Sequence, residues 1–231
     1  MKFKIIRLST KNIHLQRQFY VEKLGLQLLN ENKQVFSVKA GKTILEIEEK
    51  SDNFIKNGYY HFCFNIFPSL LEDSAEKFLP SRGISLVTNG KDKYTVHKDW
   101  NAKSAYFYDA DENILEFIAR YNLKDEFSTN DTNFDIDKHL INISEIGIAV
   151  EDTSNFAETL QQNMEVKIWR DYGDAFKAIG DENGLILATK LDRPWIPTTD
   201  HPNAALPTEV TIEGKGTNFV FNNFYKFNFV N

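Results

Sequence analysis

A single carboxylate, Glu116, interrupts the apolar run ILEFI over residues 114–118. Successive side chains of an extended chain face opposite sides, so Glu116 shares its face with Ile114 and Ile118. A carboxylate among such neighbours needs a cation or hydrogen-bond donors to offset the cost of burial. Arg7, in KIIRLS near the N-terminus and on one face with Ile5, is a candidate cation that would pair Glu116 directly. His61 lies in a second apolar run, YYHFCFNI, on one face with Cys63 and Asn65. Those small and polar neighbours suit a cavity wall, although a strand histidine tied to a backbone carbonyl explains His61 equally simply. Glu46, in TILEIEE, alternates with Ile44 and Glu48, which also describes an ordinary solvated strand face. The stretch KYTVHKDWN, residues 93–101, places His97 beside Trp100. It can cover a cavity mouth and bind an aromatic or polar ligand, or Trp100 can close the edge of a core.

Other chemistries lack their residues. The chain has no G-x-S-x-G elbow, no glycine-rich phosphate loop, no CxxC and no HExxH. Its one cysteine, Cys63, permits no intramolecular disulfide. Thirty-three acidic against 27 basic residues give a formal charge of −6, with no basic run, which argues against a nucleic-acid partner. The N-terminal apolar segment is too short for a secretory signal, and no window approaches a membrane span. A soluble cytoplasmic protein is therefore expected. With 42% hydrophobic and 13% aromatic residues, a substantial core can form.

The elements that must position these residues come in a repeated order. Residues 4–9 predict a strand. Thr10 or Asn12 caps a helix over 13–24, Gly25 ends it, and strands follow at 26–30, 34–38 and 43–48. The order returns with a strand at 59–66, a helix opened by Pro68 and Ser69, and a strand at 84–87. A polar excursion over 88–103 leads to a strand, turn and strand over 104–120, with Asp109, Asp111, Glu112 and Asn113 forming the turn. A polar, acidic segment, 123–139, reads as a linker. A third round follows: strand 142–150, a helix capped by Asp152 or Thr153, and strands 166–170, 175–179 and 185–189. The proline-rich stretch 193–207, whose Trp195 is available to pack on the preceding half, breaks the pattern. Strands at 210–213 and 218–230 then close the chain with no helix between them. The expected class is α+β, with repeated βαβββ units.

Paired βαβββ units, FYVEKLGLQLL after a capped helix start, and YFYDADENILEF closing the second unit resemble the vicinal oxygen chelate superfamily. That superfamily includes glyoxalase I, extradiol dioxygenases and bleomycin-resistance proteins. The closing phrase resembles an Asp-Pro-Asp-Gly-Asn turn leading into a strand with a metal-binding glutamate; here Ala110 replaces the proline and Glu112 the glycine. The resemblance covers residues 3–120 well and 141–190 weakly.

The resemblance implies two units curled into a half-open barrel around a divalent metal, with ligands from the first and last strand of each unit. Carried onto this chain, it offers His61, Glu116 and Glu46, with Glu116 also catalytic. The first strand, FKIIRL, offers no ligand near Ile5. One histidine and two carboxylates suit Fe(II), Mn(II), Zn(II) or Ni(II). His97, Trp100, Arg7 and Asn65 are the expected ligand-binding residues. The expected domains are 1–122, holding the paired units and the site, and an incomplete second domain at 140–231. The third unit, with Glu145 as the sole acid of its first strand, reads as scaffold. Two functional classes stay open: a metal-dependent glyoxalase or dioxygenase acting on vicinal oxygens, and a metal-free protein that binds or sequesters a small molecule. A small molecule is the expected partner in either case, with no nucleic acid or membrane, and homodimerisation is left open.

Overall fold

Alternating β-branched and aromatic residues dominate the chain outside its turns, and they form strands. The computed structural model describes residues 1–51, 58–88 and 90–231, so Asn89 of the polar excursion lies outside the described residues. The first round consists of β1 (Lys2–Thr10), a helical segment α1 over 13–23, β2 (Gln27–Glu31), β3 (Val35–Ala40) and β4 (Thr43–Glu49). The Asn12 side chain accepts the Leu15 amide at the start of α1, and Gly25, at φ +84°, turns the chain out of it. The second round has β5 (His61–Ile66), a helical run α2 over 68–81, β6 (Leu86–Val87), β7 (Thr95–His97), β8 (Ala102–Tyr108) and β9 (Ile114–Arg120). A short helix α3 (Ile136–His139) leads into the third: β10 (Leu140–Val150), α4 (Thr153–Asn163), β11 (Ile168–Asp171), β12 (Phe176–Asp181) and β13 (Gly184–Lys190). The Asp152 carboxylate caps α4 by accepting the Ser154 and Asn155 amides, both at 2.9 Å. β14 (Thr208–Glu213), β15 (Phe219–Phe221) and β16 (Tyr225–Val230) close the chain. No described helix is long and apolar enough to cross a membrane.

These strands make two mixed sheets, an α+β fold. The first runs β15-β16-β14-β1-β4-β3-β2; the second runs β11-β12-β13-β10-β5-β9-β8-β6, with β7 on β8. One pairing rule recurs. Within each round the first and last strands are parallel neighbours: β1 with β4, β5 with β9, β10 with β13, and β14 with β16. Between rounds, first strands join antiparallel, β1 with β14 and β5 with β10.

This joining corrects one expectation. The first round pairs with the C-terminal strands and the second with the third, so both sheets cross the segment 123–139, and a division there separates neither. The physical reason lies at the edges. β1 and β5 each need an antiparallel partner for their outer backbone groups, and β14 and β10 supply them.

The sheets share a core. Phe62, Phe64, Leu115 and Phe117 from one face of the second sheet join Ile6, Leu8, Leu45 and Ile47 of the first in a single buried cluster. Thr43 ties the layers: its hydroxyl bonds the Phe3 carbonyl at 2.9 Å and accepts the Ile143 amide at 3.2 Å. The β8–β9 turn is anchored to the same core. Asp109 Oδ1 accepts the amides of Asp111 and Asn113, while Oδ2 accepts the Tyr20 hydroxyl at 2.7 Å and the Asn113 side chain at 2.9 Å. This network fixes where β9 begins, and so fixes Glu116. The opposite face of the second sheet carries the chemistry.

Candidate functional site

Strand register assembles the site. Glu116 on β9 lies opposite Cys63 on β5, and Cys63 lies opposite Glu145 on β10. Paired residues point to the same face, so the two carboxylates flank Cys63 across three adjacent strands. His61 is two residues along β5 and shares that face. All three side chains are buried, and one ligand atom from each of His61, Glu116 and Glu145 lies within 4.8 Å of the others.

Hydrogen bonds set the chemical state of each group. His61 Nδ1 lies 3.0 Å from the Ile114 carbonyl, which can only accept, so the proton sits on Nδ1 and Nε2 keeps its lone pair. Burial, with His97 adding a smaller effect against the favourable Ile114 bond, lowers the His61 pKa to about 4. The imidazole is therefore neutral at pH 7, and its 3.5 Å approach to Glu116 Oε2 is not an ion pair. The other oxygen of Glu116 accepts the Ser104 hydroxyl, and the Tyr106 hydroxyl also bonds the carboxylate. Burial first, and the neighbouring Glu145 second, push the Glu116 pKa up. Burial also raises that of Glu145, against the guanidinium of Arg120, which bonds Glu145 Oε1 directly. Arg120 donates its Nε to Asn65 Oδ1 at 3.1 Å, while its buried Nη1 has no hydrogen-bond partner. His97, neutral because burial and Arg120 lower its pKa to about 4, lies 3.1 Å from the Ser104 hydroxyl and 3.4 Å from that of Tyr106.

The three groups open into a cavity of about 380 Å³. Trp195 forms part of its wall from the proline-rich segment, donating its indole N–H to the Tyr59 carbonyl at 2.7 Å, with its ring 5.1 Å from that of His61. Gly147 admits it. A Cβ there would stand 2.3 Å from the Trp195 ring. Trp100, Tyr172 and Phe176 form further aromatic wall, with Arg193 among them.

Of the residues expected at the site, His61 and Glu116 converge, and His97 and Trp100 line the cavity. Glu46 does not reach it. It sits on β4 in the other sheet, where Arg7 Nε donates to it at 2.8 Å. Arg7 therefore spends its charge on Glu46 and Glu209 and does not meet Glu116. The register explains this, since Arg7 and Glu46 are direct partners across the parallel β1–β4 pair. Asn65 stands behind the site as a support for Arg120, its amide nitrogen donating to the Glu182 carbonyl at 2.9 Å. Glu145, read as part of a scaffold, is instead the third converging group. Its signal was present, because a lone carboxylate in ISEIGIAV is the pattern that singled out Glu116. The fourth strand of the set, β13, presents Leu187 and Thr189 to the cavity.

The donor set fits a divalent cation on its chemistry. A neutral imidazole with a free Nε2 and two buried carboxylates is a hard, anionic N,O,O arrangement. Arg120 offsets one of those charges, and Glu116 has no cationic partner among the described residues.

No protein-family model matches the chain, and no curated protein matches it in sequence. Solved structures do. A candidate dioxygenase from Bacillus subtilis subsp. subtilis str. 168 superposes with a TM-score of 0.60 at 14% identity, over 92% of this chain and 70% of that one. A V278E mutant of glyoxalase I from Zea mays gives 0.58 at 14% identity, over 91% and 74%. The chain shares the fold of these proteins.

Proposed function

We propose that the second sheet is a half-open barrel made of two βαβββ units, and that its cavity binds a small molecule through vicinal oxygens on a divalent metal. His61, Glu116 and Glu145 would hold that metal, and the reaction would be of the glyoxalase or dioxygenase kind. The convergence of these three buried groups carries the proposal. Bound there, the metal would act as a Lewis acid on the substrate's oxygens. The chain's own residues supply the rest. The Ile114 carbonyl fixes the His61 tautomer and ring orientation, the support expected behind a ligating histidine. Ser104 and Tyr106 hold the Glu116 carboxylate from one side, leaving its other oxygen toward His61 and positioned to take or return a substrate proton. Trp195 and Trp100 supply aromatic surface to the cavity wall.

A second reading has its own observation. The Arg120–Glu145 ion pair already gives one carboxylate a cation, which suits a metal-free pocket that binds or sequesters its ligand, as in bleomycin-resistance proteins. Metal content of protein purified without chelator separates the two. The metal reading expects about one equivalent, lost in His61→Ala, Glu116→Gln and Glu145→Gln and kept in Glu46→Ala. Metal-free wild-type protein that also takes up none of the four metals on titration would leave the binding reading.

A further inference from the structure

The cavity is lined by aromatic side chains whose polar atoms are already engaged. The Trp195 indole N–H is spent on the Tyr59 carbonyl, and that of Trp100 on the Tyr172 hydroxyl at 2.9 Å. The Tyr106 hydroxyl is spent on Glu116. These groups therefore offer a ligand ring faces and carbon edges, which suit a planar apolar body.

One cation stands apart from that pattern. Arg193 lines the same cavity and lies 5.6 Å from the Phe176 ring centroid. No carboxylate pairs with it among the described residues. Arg120, the nearby buried cation, is committed to Glu145 and Asn65. The backbone around Arg193 is fixed, since its carbonyl accepts the Asn203 amide at 2.9 Å and the Trp195 amide donates to the His201 carbonyl at 3.0 Å. A guanidinium held on an ordered loop, without a partner, beside aromatic walls is a receptor for a planar oxyanion. A carboxylate matches one guanidinium in charge. A phosphate dianion would need more cations than the single guanidinium of Arg193.

We propose that the occupant of this cavity is a planar aromatic carboxylate, its ring against the tryptophan and phenylalanine walls and its carboxylate paired with Arg193. Arg193 is then the residue that sets specificity for an anionic ligand, while the His61, Glu116 and Glu145 cluster faces the ligand's other end. The inference uses the cavity of the function proposed above and does not depend on its metal.

Calorimetry with three probes tests it, run with and without chelator: 2-naphthoate, its neutral analogue 2-naphthamide, and the flexible carboxylate octanoate. Wild-type protein should bind naphthoate at least about tenfold tighter than either alternative, the ratio a charge-assisted pair supports. Arg193→Met and Arg193→Gln should abolish the preference over naphthamide and leave naphthamide affinity unchanged. Both variants should melt within a few degrees of wild type and keep the wild-type metal content. The naphthoate-to-naphthamide ratio in wild-type protein needs no variant, so a misfolded mutant does not blunt the test. Naphthamide binding as well as naphthoate, octanoate binding as well as naphthoate, or no naphthoate binding would each overturn the proposal. Absence of the charge preference in wild-type protein whose metal content is intact would refute this inference alone. Naphthoate preference in a protein that takes up no metal would refute the metal reading alone.

Discussion

The guanidinium of Arg120 and the carboxylate of Glu145 form an ion pair in which neither side chain is more than 3% exposed. Arg120 comes from the last residue of β9 and Glu145 from the middle of β10, so the pair spans β5 and joins the second round of the chain to the third. Beside it stands Glu116, a buried carboxylate with hydrogen-bond donors but no cationic partner among the described residues.

Removing one member of that pair should be far worse than removing both. Arg120→Met strands a buried carboxylate, and breaking such a pair costs roughly 3–5 kcal/mol. The double variant Arg120→Met with Glu145→Leu should recover most of that loss, because two apolar side chains of similar volume need no solvation. Denaturant unfolding of the three proteins checks this. Equal stability of the single and double variants would show that the pair is not coupled.

The Arg7–Glu46 pair makes the opposite prediction. It lies between strands of the other sheet with Arg7 40% exposed, and pairs this open to water contribute no more than about 1 kcal/mol. Glu46→Ala should therefore unfold within about 1 kcal/mol of wild type and leave metal content and ligand affinity unchanged. A loss of bound metal in this variant would contradict the placement of the site.

What the sequence could and could not disclose follows from these two pairs. Alternation shows which face of a strand a residue occupies, so Glu116 and His61 stood out as polar groups on apolar strands. Caps and turn residues marked the order of elements, with Asn12, Gly25 and Asp152 placed as expected. Nothing local says which strand lies beside which. Glu46 looked equivalent to Glu116 because both sit on the last strand of a round, yet β4 lies between β1 and β3 in the first sheet while β9 lies between β5 and β8 in the second. Glu145 was passed over for the same reason, since its partners on β5 and β9 lie about 80 and 30 residues away along the chain. The π-helical turn inside α1 and the extra strand β7 had no signal that distinguished them.

Gly147 should tolerate no side chain. A Cβ there meets the Trp195 ring at 2.3 Å, and the ring is held in place by its bond to the Tyr59 carbonyl. Gly147→Ala should destabilise by about 1–3 kcal/mol, the usual cost of overpacking, and weaken ligand binding by moving the cavity wall. Thermal melting with a ligand titration measures both. Wild-type affinity in this variant would show that Trp195 does not shape the pocket.

Asp109 should give stability a pH dependence of defined sign. Burial, against the donors that converge on it, raises its pKa to about 6 in the folded chain, above the ordinary value of about 3.9 expected when unfolded. Between those values the folded state holds the proton more tightly, so stability falls as pH rises from about 4 to about 6 and levels off above. The size is on the order of 3 kcal/mol for a shift of this extent. Asp109→Asn should remove that component, so the stability difference between wild type and variant should change only within this window. Asp109→Ala, which also strands the Tyr20 hydroxyl and two backbone amides, should be less stable than Asp109→Asn by about 1–3 kcal/mol at any pH. A difference profile that is flat from pH 4 to 6 would refute the assignment.

Cutting the chain at Asp131 makes the strongest test of the topology. The piece 1–131 keeps the first two rounds but loses β14 and β10, the antiparallel partners of β1 and β5. Two strands that are interior in the intact sheets become open edges, each with a row of unpaired backbone groups and apolar side chains on at least one face. It also loses Glu145, leaving Arg120 buried without its carboxylate. The fragment should therefore be insoluble or aggregate on concentration. Co-expression with residues 132–231 should restore soluble protein, because the two pieces complete both sheets together. Sedimentation and hydrogen exchange of the β1 and β5 amides would measure the effect. A soluble monomeric fragment with protected β5 amides would mean that the first two rounds stand alone as a domain, and that the shared sheets are not what holds them together.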